Sequence, residues 1–179
     1  MDTDNPTPPS KPSRRPVLGV ALAALAAGVG FGWWRHQAQA VPQAMLANLW
    51  TAEFEQPDGG VLKVADFQGK PLVLNFWATW CTPCIEEMPL LNAFFLENKP
   101  KNWQMLGLAI DQPSAVKRYL AQHPVEYPIG LAGLDGTQLM KDLGNTAGGL
   151  PFTLVIDAPG LVQVRKWGKL SQAEIQSWA

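Results

Sequence analysis

Hydrophobic and polar positions divide the chain into stretches of different grammar. Residues 1–15 are polar and proline-rich, carry Pro6, Pro8, Pro9 and Pro12, and end in Arg14 and Arg15. Residues 16–34 hold no charge, running from Pro16 through an Ala-, Gly-, Val- and Leu-rich stretch to Trp33 and Trp34. From residue 49 the pattern becomes one of short strands and amphipathic helices. Runs at 50–54 and 61–64, joined by Gln56-Pro57-Asp58-Gly59-Gly60, predict a hairpin. Leu72–Trp77 is apolar except at Asn75, the composition of a strand buried on both faces. Residues 83–97 set Met88, Leu91, Phe94 and Phe95 at helical spacing, so a helix follows that strand directly. A strand at 103–110 and a helix at 114–123 capped by Ser114 continue the order as βαβα, which predicts a sheet at least partly parallel. A short helix at 135–143, a strand at Phe152–Ile156, the turn Asp157-Ala158-Pro159-Gly160, a hairpin partner at 161–167 and a closing helix at 171–178 complete the expectation.

The chain has two cysteines, Cys81 and Cys84, and both stand where the central strand gives way to its helix, in Trp77-Ala78-Thr79-Trp80-Cys81-Thr82-Pro83-Cys84. Two cysteines at this spacing close a small disulfide when the backbone turns tightly, as at a first helical turn, and Pro83 stiffens that turn. The positive end of the helix stabilises a thiolate at Cys81, making it the attacking nucleophile. Cys84, further into the helix, is then the resolving thiol. A purely structural staple gains most from closing a long loop, and this loop is minimal. A zinc site needs about four ligands, whereas these cysteines are supplemented by only two histidines, His36 and His123. The expected chemistry is therefore redox, with no metal.

At 179 residues the chain accommodates one catalytic domain plus appendages. Its net charge is -1, with ten basic and thirteen acidic residues beyond Ala40, so there is no electrostatic footprint for nucleic acid. The uncharged 19 residues after Arg15 are just long enough to span a hydrocarbon core of about 30 Å. Arginines on their N-terminal side orient that end to the cytoplasm and the rest across the membrane. The division expected is thus a disordered cytoplasmic tail at 1–15, a transmembrane anchor or signal core at 16–34, a linker at 35–48 and a catalytic domain at 49–179. Trp33, Trp34 and Arg35 favour an uncut anchor in the inner membrane, and Ala38-Gln39-Ala40 offers the alternative of cleavage after Ala40 and a soluble periplasmic product. Ser13-Arg14-Arg15-Pro16-Val17-Leu18 fits either a twin-arginine signal or an ordinary charged flank. Both routes lead to the oxidising bacterial envelope, where a dithiol needs a supply of electrons.

With these residues in view, the chain resembles the thioredoxin-fold proteins, and among them the TlpA/ResA-like branch of membrane-tethered bacterial thiol-disulfide oxidoreductases. The resemblance spans residues 49–179 and rests on Asn75-Phe76-Trp77-Ala78-Thr79-Trp80-Cys81-Thr82-Pro83-Cys84, on Glu87-Met88-Pro89, and on Gly149-Leu150-Pro151-Phe152-Thr153 before Leu154-Val155-Ile156-Asp157. It implies an α/β thioredoxin fold with a central mixed sheet flanked by helices, an N-terminal hairpin and a central insertion. It implies a cis peptide at Pro151 facing the cysteines, with Leu150, Trp80 and Pro83 around the substrate, and Glu87 exchanging a proton near the dithiol. It also implies a reductant of protein disulfides, apocytochrome c among the possible substrates, fed by a membrane thiol donor and needing no cofactor beyond the Cys81–Cys84 disulfide. Thioredoxins proper carry an aspartate where this chain has Asn75, which cannot titrate.

Three rivals have distinct residue requirements. A disulfide-donating oxidase usually places a histidine between the cysteines, where this chain has Thr82 and Pro83. A peroxidase needs a lone cysteine in a Pro-x-x-x-Thr-x-x-Cys setting near an arginine; Arg118 and Arg165 are the arginines after Arg35, and that motif is missing. A copper carrier would pair the soft thiolates with a distant histidine, and His123 stands before Pro124 in an apparent loop.

Overall fold

The computed structural model describes residues 43–179. The tail at 1–15, the apolar segment at 16–34 and the cleavage position after Ala40 lie outside the described residues. Among the described residues no helix is long and apolar enough to cross a membrane.

The chain opens with helix α1 (Gln43–Trp50), then β1 (Glu53–Glu55) and β2 (Val61–Lys63), a 3-10 turn at Val64–Phe67, and β3 (Leu72–Trp77). Helix α2 (Thr82–Asn98), β4 (Gln104–Ala109), α3 (Pro113–Gln122), β5 (Ile129–Leu131) and α4 (Asp135–Asp142) follow. The hairpin β6 (Phe152–Ile156) and β7 (Val162–Trp167) and the short helix α5 (Gln172–Gln176) end it. One seven-stranded sheet has the order β2-β1-β5-β4-β3-β6-β7; β3, β4 and β5 run parallel, and the rest pair antiparallel. This is the expected mixed sheet flanked by helices, with β1 and β2 as its N-terminal hairpin.

Both faces of β3 are covered, so every residue of it is buried. On one face Leu72, Leu74 and Phe76 join Leu106, Leu108, Phe152, Leu154 and Ile156 beneath α1, the 3-10 turn and α4. On the other, Val73 and Trp77 join Met105, Ala109 and Val155 against α2, α3 and α5. The period-2 alternation of the strands thus feeds two cores, one on each side of the sheet. The second core is the one that receives the cysteines.

The structure departs from the sequence expectations at four places. Trp50 closes helix α1 and does not open a strand; Leu46 and Leu49 of that helix are buried, in residues read as linker up to 48. The first strand consequently begins at Glu53. Ser114 lies inside α3, whose cap position is Gln112, because Pro113 is already helical and a proline is well placed in a first turn. Strand β5, paired in parallel to β4, has only three residues and was not anticipated. Elsewhere the elements fall within a residue or two of expectation, and β3 and β6 coincide with it.

Candidate active site

A six-residue buried strand aims its C-terminal end at the turn that carries the cysteines. Cys81 is the N-cap of α2 in extended conformation, Thr82 begins the helix and Pro83 occupies its second position. The Cys81 carbonyl accepts from the N–H groups of Cys84 at 3.0 Å and Ile85 at 3.2 Å, closing the first turn. Cys81 and Cys84 are joined as a disulfide, with Cα atoms 5.3 Å apart. Cys81 is 6% exposed and Cys84 fully buried, so an incoming sulfur reaches Cys81 first. That difference in access favours Cys81 as nucleophile and Cys84 as resolving thiol. Because Pro83 has no N–H, the helix start offers a Cys81 thiolate one donor fewer than an ordinary first turn. The dipole at that end is still worth about 0.3–1 kcal/mol to a thiolate.

The peptide between Leu150 and Pro151 is cis, as expected. Asn145 shapes the approach to it: the buried side chain donates to the Gly149 carbonyl at 2.6 Å and accepts from Gly148 N–H at 3.1 Å. Trp80 is two-thirds exposed beside Cys81, whereas Trp77 is wholly buried. A groove of about 480 Å³ lies between Trp80, the residue before Cys81, and Leu150, the residue before Pro151, walled further by Leu134, Met140 and Asp111. Leu134 is 85% exposed on its rim. Asp111 ties the groove to the cysteine loop by accepting from Thr79 N–H at 2.9 Å, the Thr79 hydroxyl at 2.5 Å and Gln112 N–H at 2.7 Å. The groove and its rim at Leu134 had no signal in the sequence, since Leu134 and Trp80 meet only through the fold.

Glu87 lies one turn beyond Cys84 on α2, on the same face, and is fully buried. Its Oε1 accepts from Asn75 Nδ2 at 2.9 Å, and its Oε2 accepts from Leu170 N–H at 2.7 Å. Burial pushes its proton affinity up to about pH 7; the Leu170 N–H, the Asn75 amide and the charges of Lys169 and Lys166 oppose that rise without cancelling it. Its neighbour Glu86 is instead exposed and pairs with Lys169 at 2.5 Å. Tyr127 and Trp77 stand in the same core, and neither the Tyr127 hydroxyl nor Trp77 Nε1 has a hydrogen-bond partner among the described residues. Burial, and next the charge of Glu87, raises the Tyr127 phenol well above its ordinary value. The chemistry available is a reactive sulfur at the surface, a second sulfur behind it, and behind that a carboxyl able to hold or release a proton near neutrality. His123, the one histidine among the described residues, stacks on Tyr119 and is exposed.

Comparison with known proteins agrees with this geometry. Residues 40–165 match the AhpC/TSA family. The chain is 30% identical over 122 residues to the thiol-disulfide oxidoreductase ResA of Bacillus thuringiensis subsp. konkukian, an alignment covering 68% of each protein. Among solved structures, a thiol:disulfide interchange protein of the thioredoxin family from Chlorobium tepidum superposes with a TM-score of 0.63 at 28% identity, over 70% of this chain and 88% of the other. DsbF of MTB, seen in mixed oxidized and reduced forms, superposes with the same TM-score at 26% identity, over 72% and 92%. With a dithiol at a helix start, a cis-proline before β6 and relatives that share the activity, the chain belongs to the AhpC/TSA family of thioredoxin-fold proteins and is a thiol-disulfide oxidoreductase of the ResA/DsbE type.

Proposed function

We propose that this oxidoreductase works as a reductant of protein disulfides in the bacterial cell envelope, receiving electrons from a membrane thiol donor. The observation that carries the direction is Glu87, a buried carboxyl held one helical turn from Cys84. A negative charge there disfavours thiolates, and a dithiol whose thiolates are poorly stabilised gives up its electrons more readily than one that stabilises them. Neither Thr82 nor Pro83 supplies a cation to reverse the effect.

In the proposed cycle the Cys81 thiolate attacks a substrate disulfide, forms a mixed disulfide and releases one substrate thiolate. Cys84 then passes its proton to Glu87 and attacks the Cys81 sulfur, releasing the second substrate thiolate. The protein is left with its Cys81–Cys84 disulfide and a protonated Glu87; two electrons have moved to the substrate, whose two released thiolates take up protons from Glu87 and from water. Trp80, Pro83, Leu150 and Pro151 position the substrate chain across Cys81. Apocytochrome c, whose haem-binding cysteines must be reduced, is a fitting substrate class. The uncharged segment at 16–34 would hold the domain at the inner membrane.

The deciding measurement is the reduction potential of the dithiol in glutathione and dithiothreitol buffers. A value at or below roughly -270 mV supports the reductant; one near about -120 mV makes the protein a disulfide donor instead. Extraction of the full-length protein from membranes by alkaline carbonate would argue against the anchor, and retention would support it.

A further inference from the structure

Of the buried side chains around Glu87 to which the redox cycle gives no part, Asn75 is the one that hydrogen-bonds the carboxyl. Asn75 is central in β3, directly opposite Gly107 of β4 and Thr153 of β6, and all three look toward the core that holds the dithiol. Gly107 has no side chain to crowd the site, and Asn75 Nδ2 reaches both Glu87 Oε1 at 2.9 Å and Thr153 Oγ1 at 3.0 Å. Asn75 Oδ1 is equally buried and has no partner among the described residues.

That imbalance fixes what the amide does. In the arrangement present, one carbonyl oxygen goes unpaired; turned over, the amide would leave its two N–H donors unpaired and would face Glu87 with an acceptor. The arrangement present is the one that serves an ionised carboxylate, because only a donor can answer an oxygen carrying negative charge. Thr153 matters here because its hydroxyl accepts from the same nitrogen and so aims it. Thr153 is also two residues beyond Pro151, which ties the amide to the loop that positions substrate.

We propose that Asn75 is a positioning residue of the exchange reaction: its amide, aimed by Thr153, holds the Glu87 carboxyl in the ionised form that can take the proton of Cys84. The inference rests on Glu87 as the proton carrier proposed above. An uncharged amide performs this task where a carboxylate would not, since a second acid at position 75 would share a proton with Glu87 and keep it from accepting another. The other groups that bear on Glu87 are the Leu170 N–H ahead of α5, Lys169 in the same loop, Lys166 on β7, Tyr127 ahead of β5, and Cys84 on its own helix. Of these only Asn75 and Leu170 donate hydrogen bonds to the carboxyl.

The test uses the isotope-labelled full-length protein, following the carboxyl carbon of Glu87 and the side-chain amide of Asn75 between pH 5 and 9. Both signals should move with one midpoint. Asn75→Leu should raise that midpoint by about one pH unit or more, tenfold in proton affinity, and shift the pH profile of mixed-disulfide resolution equally. Thr153→Val should do the same to a smaller extent. An Asn75 amide that stays still while Glu87 titrates overturns the inference in the wild-type protein alone, whether or not the variants fold. So does an unmoved midpoint in a folded Asn75→Leu. A Glu87→Gln protein with an unaltered resolution profile would instead overturn the proton-carrier reading, and the part of Asn75 in exchange with it, even if the two NMR signals still move together.

Discussion

Replacing Glu87 by glutamine should make the protein more stable at alkaline pH. The carboxyl is fully buried and its proton affinity is raised from the ordinary 4.5 to about 7. Between those values the folded protein binds a proton that the unfolded chain has released, so stability falls as pH rises. The penalty is absent well below pH 4.5 and complete above about pH 7. Its full size is the shift multiplied by about 1.4 kcal/mol per unit, or about 3 kcal/mol, of which about 2.5 kcal/mol accrues between pH 5 and pH 8. Glutamine has the same shape and no charge to lose. Its oxygen can accept from Leu170 N–H, and its amide, like the O–H of the protonated acid it replaces, meets the Asn75 oxygen once the Asn75 amide turns over, so that rearrangement is common to both proteins at low pH. The two proteins should therefore be similar in stability at pH 5 and diverge by about 2–3 kcal/mol at pH 8, with the variant ahead. Urea unfolding of the oxidised proteins resolves this readily, since slopes of about 1–3 kcal/mol per molar turn that gap into a midpoint shift of about 1 M or more. A difference that does not change with pH, or one that favours the wild type as pH rises, would refute the reasoning about burial.

Other outcomes follow from the same geometry. Cys81→Ala should abolish turnover, while Cys84→Ala should accumulate mixed disulfides visible by mass spectrometry under non-reducing conditions; equal trapping by both would undo the assignment of roles. Gly107→Ala should destabilise the fold by about 1–3 kcal/mol in urea titrations, because a methyl group there would stand 2.6 Å from Ile129 Cδ1 and 3.2 Å from Trp77 Nε1. Trp80→Ala and Leu134→Ala should raise the KM for a protein disulfide roughly 5- to 30-fold, the size of an interface anchor, and leave the rate with a small disulfide such as oxidised glutathione nearly unchanged; equal losses with both substrates would remove the groove from substrate binding.

What the sequence disclosed depended on how local each cause was. Strands β3 and β6 were legible because both are short, apolar on both faces and bounded by turn residues. Helix α2 was legible because four large side chains repeat on one face, and the cysteine pair marked its start. Helix α1 went unread because QAMLANLW has no capping signal and no charge to draw a polar face. Strand β5 is three residues long, too brief for any period, and exists because β4 and β1 flank it. The thiols could be named from eight consecutive residues. Glu87 could be named as a candidate, but its burial could not, because the groups that surround it come from β3 and from a loop 83 residues further along the chain. The amide of Asn75 was visible as a departure from an acidic pattern, and its partners were not, since cross-strand neighbours are set by register.

The segment after β7 has a bearing on how this protein can be handled and varied. Leu170 closes over Glu87, Lys169 fastens that loop to Glu86, and Ser171 and Glu174 form a reciprocal cap that starts α5 and seats Ile175 in the core. A dozen residues that a gene-trimming exercise would discard as a polar tail are thus the back wall of the redox centre. Ending the chain before Leu170 would admit water to the carboxyl, return it toward an ordinary acid and retune the dithiol, while leaving the sheet, the cysteines and the cis-proline loop encoded in full. Fusions and tags placed there would act on the chemistry of Glu87 as well as on solubility.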